Sequence, residues 1–184
     1  GVAVSGGQSS VSLNTNPENG TVSFIQFGVY GAKRLAGGIA LDGAGIYAHD
    51  YYNVTRGIVL PGAGRVATSS HGGNDGVLDI GISRPYFAGG WQFTPRFGLS
   101  YFHIGQSSFS ESGANSLDLA VAPNDLNALF TRIGAAIAAP MVLNDVRILP
   151  EFRAAWLHNL LADQSQYTAG FIGSGAAHFV ANGP

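Results

Sequence analysis

The sequence predicts an all-β chain, an antiparallel up-and-down meander that forms part of a transmembrane β-barrel. Three observations carry this. Large apolar residues alternate with small or polar ones, with period two, in segment after segment, as in a strand with two unlike faces. Short and long connections take turns along the chain, as they do where tight turns lie on one side of a membrane and larger loops on the other. The composition joins an ordinary apolar share of 46% to a charged share of only 11%, where about a quarter is usual.

Residues 23–30 place Ile25, Phe27 and Val29 on one face, with Phe24, Gln26, Gly28 and Tyr30 on the other. In 38–50, Ile39, Leu41, Gly43, Gly45 and Tyr47 alternate with Ala40, Asp42, Ala44, Ile46 and Ala48. In 77–84, Leu78, Ile80 and Ile82 alternate with Asp79, Gly81 and Ser83. In 91–104, Phe93, Phe97, Leu99 and Tyr101 alternate with Gln92, Thr94, Arg96, Gly98 and Ser100. Segment 123–139 is alanine-rich and has Asn124 or Asp125 as a helix cap. The strand reading is preferred, because Gly134 weakens a helix interior and both neighbours are strand-like. It puts Leu129, Ile133 and Ile137 outward and Arg132, Gly134 and Ala136 inward. Residues 146–160 alternate Ile148, Phe152, Ala154 and Trp156 with Glu151, Arg153 and Ala155.

Short links with Gly, Pro, Asn or Asp turn chemistry are expected at 33–38, 84–91 and 140–146. Long polar links are expected at 50–74, 105–125 and 161–178. A β-sandwich has no reason to sort its loops this way. Asp42, Asp79, Arg96, Arg132, Glu151 and Arg153 all fall among small residues, opposite the large apolar ones. As a set they suit a narrow polar lumen in which opposite charges pair across strands; singly, each reads equally well as an ordinary surface ion pair.

Other functional classes find little support. There are no cysteines, which removes disulfides, thiol catalysis and cysteine-bound metal. A net charge of −2 and one lysine, Lys33, argue against a nucleic-acid partner. Stretches such as 133–143 are about half the length of a membrane-spanning helix. Residues 1–10 lack the basic start and apolar middle of a signal peptide. A mean hydropathy of +0.17 is nevertheless high for a soluble domain. His49, His71, His103, His158 and His178 lack metal-ligand spacing. His71, read as a loop residue near Asp75, has no nucleophile elbow to serve. The glycine pairs at 43–45 and 62–64 do not run from strand into helix, as a dinucleotide site requires. No catalytic, cofactor-binding or metal-binding residue is expected.

Several segments together resemble the autotransporter β-domain. Trp91-Gln-Phe-Thr-Pro95-Arg-Phe-Gly-Leu-Ser-Tyr101 is followed by Phe109-Ser-Glu111-Ser-Gly113 and Leu117-Asp-Leu-Ala-Val121. These are similar to the family's Pro-x-x-Gly-Leu-x-Tyr strand, its Phe-x-Glu-x-Gly loop and its Leu-x-Leu-x-Val. Leu129-Phe-Thr-Arg-Ile-Gly134 and Pro150-Glu-Phe-Arg-Ala-Ala-Trp156-Leu-His158 resemble its next two strands. Upstream, Leu41-Asp-Gly-Ala-Gly-Ile-Tyr47 and Arg56 look like the strand that ends at a tyrosine-rich loop and an arginine.

The resemblance implies a non-enzymatic translocator or anchor of type V secretion in the bacterial outer membrane, exposed at the cell surface. Its implied partners are outer-membrane lipid and a passenger polypeptide. The family barrel has roughly twelve strands, and about eight strand regions are legible here, so residues 1–184 are expected to be a single, partial barrel domain. Glu111 is expected to order its loop. Some family members cut their own linker with lumen carboxylates, for which Asp42, Asp79 and Glu151 would be the candidates, although no linker helix is legible. Two rival readings remain. One is a self-associating fragment, forming homo-oligomers or fibres through open sheet edges. The other is a soluble β-rich module binding through loops 50–74 and 105–125.

Overall fold

The structure, a computed structural model, describes residues 1–13, 18–162, 166–174 and 178–183. In chain order the strands are β1 (Val2–Leu13), β2 (Glu18–Arg34), β3 (Ala40–Leu60), β4 (Ala63–Ser83), β5 (Tyr86–Ala88), β6 (Trp91–Gln106) and β7 (Phe109–Ser110). They continue with β8 (Leu119–Val121), β9 (Asn124–Ala138), β10 (Met141–Leu143), β11 (Val146–Ile148), β12 (Glu151–Ala162), β13 (Gln166–Phe171) and β14 (His178–Asn182). The main sheet runs β1-β2-β3-β4-β6-β9-β12, every neighbouring pair antiparallel. Strand order follows chain order, which is the up-and-down meander that the alternation predicts. Segment 123–139 is strand, as preferred.

The tight ends are built by short strands and glycine or Asn-Asp turns. β5 pairs with the start of β6 around Gly89 and Gly90, whose φ values are +56° and +81°. β10 pairs with β11 around Asn144 and Asp145, at φ +50° and +64°. Two successive positive φ values match the twist of a hairpin. The expected strand 146–160 is broken at Leu149 and Pro150, because proline cannot donate to the ladder.

One expected long link is not a loop. β3 and β4 pair without interruption from Ala40↔Ser83 to Leu60↔Ala63. Only Pro61 and Gly62 lie between them, with Gly62 at φ +82°. Residues 50–74 place polar Tyr, Asn, Thr and Ser at 51, 53, 55, 68 and 70 on the face that is apolar elsewhere, and glycines interrupt the rest, so their period two is invisible to a hydrophobic count. His71 and Asp75 therefore sit on a strand. The 105–125 link holds β7, β8 and a 3₁₀ turn at Asn115–Leu117, and β13 falls within the 161–178 link. These join in a second sheet, β14-β13-β8-β7. The rest of the 161–178 link lies partly outside the described residues.

Among the described residues no large side chain is fully buried, and the buried apolar residues are Ala48, Ala67, Ala114, Ala138 and Ala169. Large apolar groups lie on the opposite face and are open: Val4 is 73% exposed, Ile25 58%, Phe152 71% and Trp156 60%. Each such side chain left in water forgoes about 1.5–3 kcal/mol, so the fold needs an apolar surrounding for this face. The chain is a strand-built part of a transmembrane barrel.

Candidate functional site

Register decides which side chains share a face. Leu41, Ile82, Phe97, Ile133 and Trp156 lie in one row across five strands. Asp42, Gly81, Gly98 and Arg132 form the adjacent row, on the other face. Asp79, Arg96, Glu151 and Arg153 have the same parity as that second row. All six charged residues singled out from the sequence thus share the face of small side chains. Part of this face is sheltered: Ala48 and Asp50 are buried, and Ser100 is only 7% exposed.

The pairings follow from where the glycines fall. Asp42 on β3 pairs with Arg96 on β6, reaching across β4. Gly81 lies beneath that bridge; a Cβ there would stand 2.8 Å from Arg96 Nη2 and 2.9 Å from Asp42 Oδ2. Arg132 on β9 likewise reaches past β6 to Asp79 on β4 at 2.9 Å, and Arg132 is directly across from Gly98. Ser100 completes this second group, its hydroxyl donating to Asp79 Oδ2 at 2.5 Å with Arg132 Nη2 at 3.2 Å. Glu151 and Arg153 pair with each other along one strand, where a cross-strand partner was expected. Arg96, Arg132, Glu151 and Arg153, with Ala136, Ala138 and Ala155, line a cavity of about 360 Å³. Each carboxylate in this set has its own guanidinium, whereas Asp50 and Asp75, farther along the same face, have none among the described residues.

Farther along the same face, the segment after β6 folds back over β3 and β4. Arg56 donates to both Glu111 oxygens, at 2.9 and 2.5 Å, and to the Leu117 carbonyl at 3.0 Å. Glu111 also accepts the Leu119 N–H at 2.9 Å. Arg65 donates to the Ala114 carbonyl at 2.7 Å, and Asp118 accepts the Ala114 N–H at 2.8 Å. Ala67 and Ala114 are fully buried where the layers meet. The hydrogen bonds to Glu111 hold the Arg56 pKa above its ordinary value. Glu111 orders its loop, as expected from the sequence; Arg65 and Asp118 carried no sequence signal.

His71 closes the side of this junction. Its ring stacks on Tyr52, with centroids 5.0 Å apart, and on Phe109 at 3.9 Å. The Gln106 amide nitrogen meets His71 Nε2 at 2.6 Å, which requires that nitrogen to be an unprotonated acceptor. Burial pushes the His71 pKa below its ordinary value. The ring is an aromatic spacer, and Asp75 does not contact it as a triad partner would. The described residues hold no group of three or more His, Asp or Glu gathered to ligate a metal.

A comparison with curated proteins finds no match to this chain. A comparison with protein families finds one: the family described as the autotransporter beta-domain matches residues 1–184, the whole chain.

Proposed function

The chain belongs to the autotransporter β-domain family, and from that premise we propose that it is a non-enzymatic translocator and anchor that supports export or surface display of a passenger polypeptide. The family places it in the outer membrane as a barrel of type V secretion. In this reading Asp42, Asp79, Arg96, Arg132, Glu151 and Arg153 line the lumen. The observation that carries the reading is the sorting of the two faces. Large apolar residues fill one, and the other holds mostly smaller side chains with the paired charges, joined by a few large groups such as Phe102 packed on Phe130. Strand pairing satisfies backbone groups in lipid. Where its charges are paired, as in Asp42–Arg96 and Asp79–Arg132, the wall offers a passing chain little net attraction.

The test is display by the full-length protein in its own membrane. Intact cells should carry a passenger that external protease removes. Outward charges such as Ile80→Arg should abolish that display. A passenger still exposed by a protein whose outer face carries several charges would contradict the reading.

A second reading rests on one observation. Among the described residues β1 pairs only with β2, and its twelve residues carry no charge. An unguarded edge recruits other strands. Homo-oligomers or fibres would then form in plain buffer without lipid or detergent, which sedimentation would read directly.

A further inference from the structure

Three of the five histidines follow an aromatic residue at the same interval: Tyr47-Ala-His49, Tyr101-Phe-His103 and Trp156-Leu-His158. They lie on β3, β6 and β12, alternate strands of the sheet that run in one direction, and all three pairs face outward. Two are built alike. Asn74 stands directly across from His49 and Asn127 directly across from His103. Asn74 Oδ1 accepts the Tyr47 hydroxyl at 2.6 Å and lies 2.8 Å from His49 Nδ1. Asn127 Oδ1 accepts the Tyr101 hydroxyl at 2.6 Å and lies 3.0 Å from His103 Nδ1. An amide oxygen only accepts, so in both groups Nδ1 carries a proton and is engaged, and Nε2 is the ring nitrogen left for an outside partner. In the third pair the His158 ring stacks on Trp156 at 5.1 Å.

The three pairs do not share a row of the sheet. The second is set back two residues from the first, and the third four from the second, counted on the paired strands. That is about 20 Å along the strands over about 19 Å across four strand spacings. Strands inclined at about 45° bring all three to one height, and this is the tilt of outer-membrane barrels. The pairs therefore mark a level, the upper edge of the apolar belt.

Above that level the outward face changes character. Asn19, Thr21, Asn53, Thr55, Thr68 and Ser70 form a band of hydroxyls and amides across three strands, opening on a depression of about 390 Å³. Cations are kept away from it. Of the nine Lys and Arg residues, Lys33, Arg34, Arg84 and Arg147 sit at the tight-turn end, and Arg56, Arg65, Arg96, Arg132 and Arg153 project from the other face. One end of the barrel wall thus matches phosphate headgroups. The other carries no cation, and its donors and acceptors are neutral apart from the exposed carboxylate of Asp125 on β9.

We propose that the histidine level and the hydroxyl–amide band above it form a docking surface for the sugar-bearing headgroups of outer-leaflet glycolipid. Nε2 of each histidine hydrogen-bonds a sugar hydroxyl, the aromatic ring below packs against the lipid's apolar shoulder, and the band pairs with hydroxyls farther out. The surface continues the lipid-facing belt, so the proposal rests on the outer-membrane reading. The test takes the intact protein from outer membranes in mild detergent and measures retained lipopolysaccharide and phospholipid by mass spectrometry. Wild-type protein should retain lipopolysaccharide in preference. Retention should fall about fivefold for each of His49→Ala, His103→Ala and His158→Ala, the contribution of one net hydrogen bond. Asn53→Asp with Ser70→Asp, outside the belt, should lower it without touching the histidines. Unchanged retention in both sets, or wild-type protein that keeps lipopolysaccharide no better than phosphatidylethanolamine, would overturn the proposal. Absence of the protein from the outer-membrane fraction would instead contradict the membrane reading itself.

Discussion

Arg56 and Glu111, fifty-five residues apart, meet in a two-pronged ion pair that fastens the segment after β6 onto β3 and β4. Glu111's side chain is 8% exposed and Arg56's 30%. Removing the arginine leaves a buried carboxylate with only the Leu119 N–H for company. Loss of one partner from a buried pair costs about 3–5 kcal/mol, and the partial exposure of Arg56 puts this case at the lower end. Arg56→Ala should free residues 107–121 to exchange their amide hydrogens, with the main sheet unchanged. Glu111→Gln keeps an acceptor and should open the segment less. Equal exchange in wild type and Arg56→Ala would remove the pair from this role.

His71 gives the same junction a pH dependence. Its pKa is lowered by burial in the docked state, so the open state takes up the proton first as pH falls. Its contribution to docking is complete above about pH 6.5, the ordinary histidine value. It is lost as pH drops through the lower, docked-state value. Hydrogen exchange in 107–121 should rise on acidification below that point, and His71→Phe should suppress the rise. A rise of the same size in His71→Phe would assign the effect to another group.

Gly113 should not accept a side chain. Its φ is +109°, and a Cβ would lie 2.6 Å from the Val66 carbonyl oxygen. Backbone strain and the clash act together, each of order 1 kcal/mol or more. Gly113→Ala should therefore loosen the junction as Arg56→Ala does, although it removes no hydrogen-bonding group. Protease nicking within 107–121 is the readout; a variant as resistant as wild type would show that the backbone there can shift freely.

Most of the strand framework was legible because lipid-facing strands keep a strict hydrophobic alternation. Leu78, Ile80 and Ile82 announce a face without any tertiary knowledge. The polar upper half of β3 and β4 was not legible, since Asn53, Thr55, Thr68 and Ser70 carry no apolar alternation and look like loop composition. All six charged residues were readable as candidates by parity alone. Their partners were not, because Asp42–Arg96 and Asp79–Arg132 each skip a strand, and only the register shows Gly81 and Gly98 lying between. The aromatic-x-His repeat stood in the sequence three times. A search for metal spacing missed it because the repeat spans separate strands.

Charge should be tolerated on one face and not on the other. Leu99→Arg, in the outward apolar belt, should cost about 2–4 kcal/mol if it sits near the membrane midplane. Ala136→Glu projects into the cavity lined by Arg96 and Arg153 and should cost far less. Ser100 is unsuitable for this comparison, because its hydroxyl is engaged by Asp79 and Arg132. Denaturant titrations of the two variants in vesicles would compare them; similar destabilisation would mean that the two faces have the same surroundings.

The absence of cysteine from the sequence allows the central claim to be tested one residue at a time. Single cysteines placed in turn at Phe97, Gly98, Leu99, Ser100 and Tyr101 can be spin-labelled in the membrane-inserted protein. Their collision rates with oxygen, which concentrates in lipid, are then compared with those for a water-soluble paramagnet. Labels at 97, 99 and 101 should favour oxygen and those at 98 and 100 should not, a strict alternation along β6. A flat profile, or one with the phase reversed, would contradict the assignment of the large apolar face to lipid and of the charged pairs to the interior.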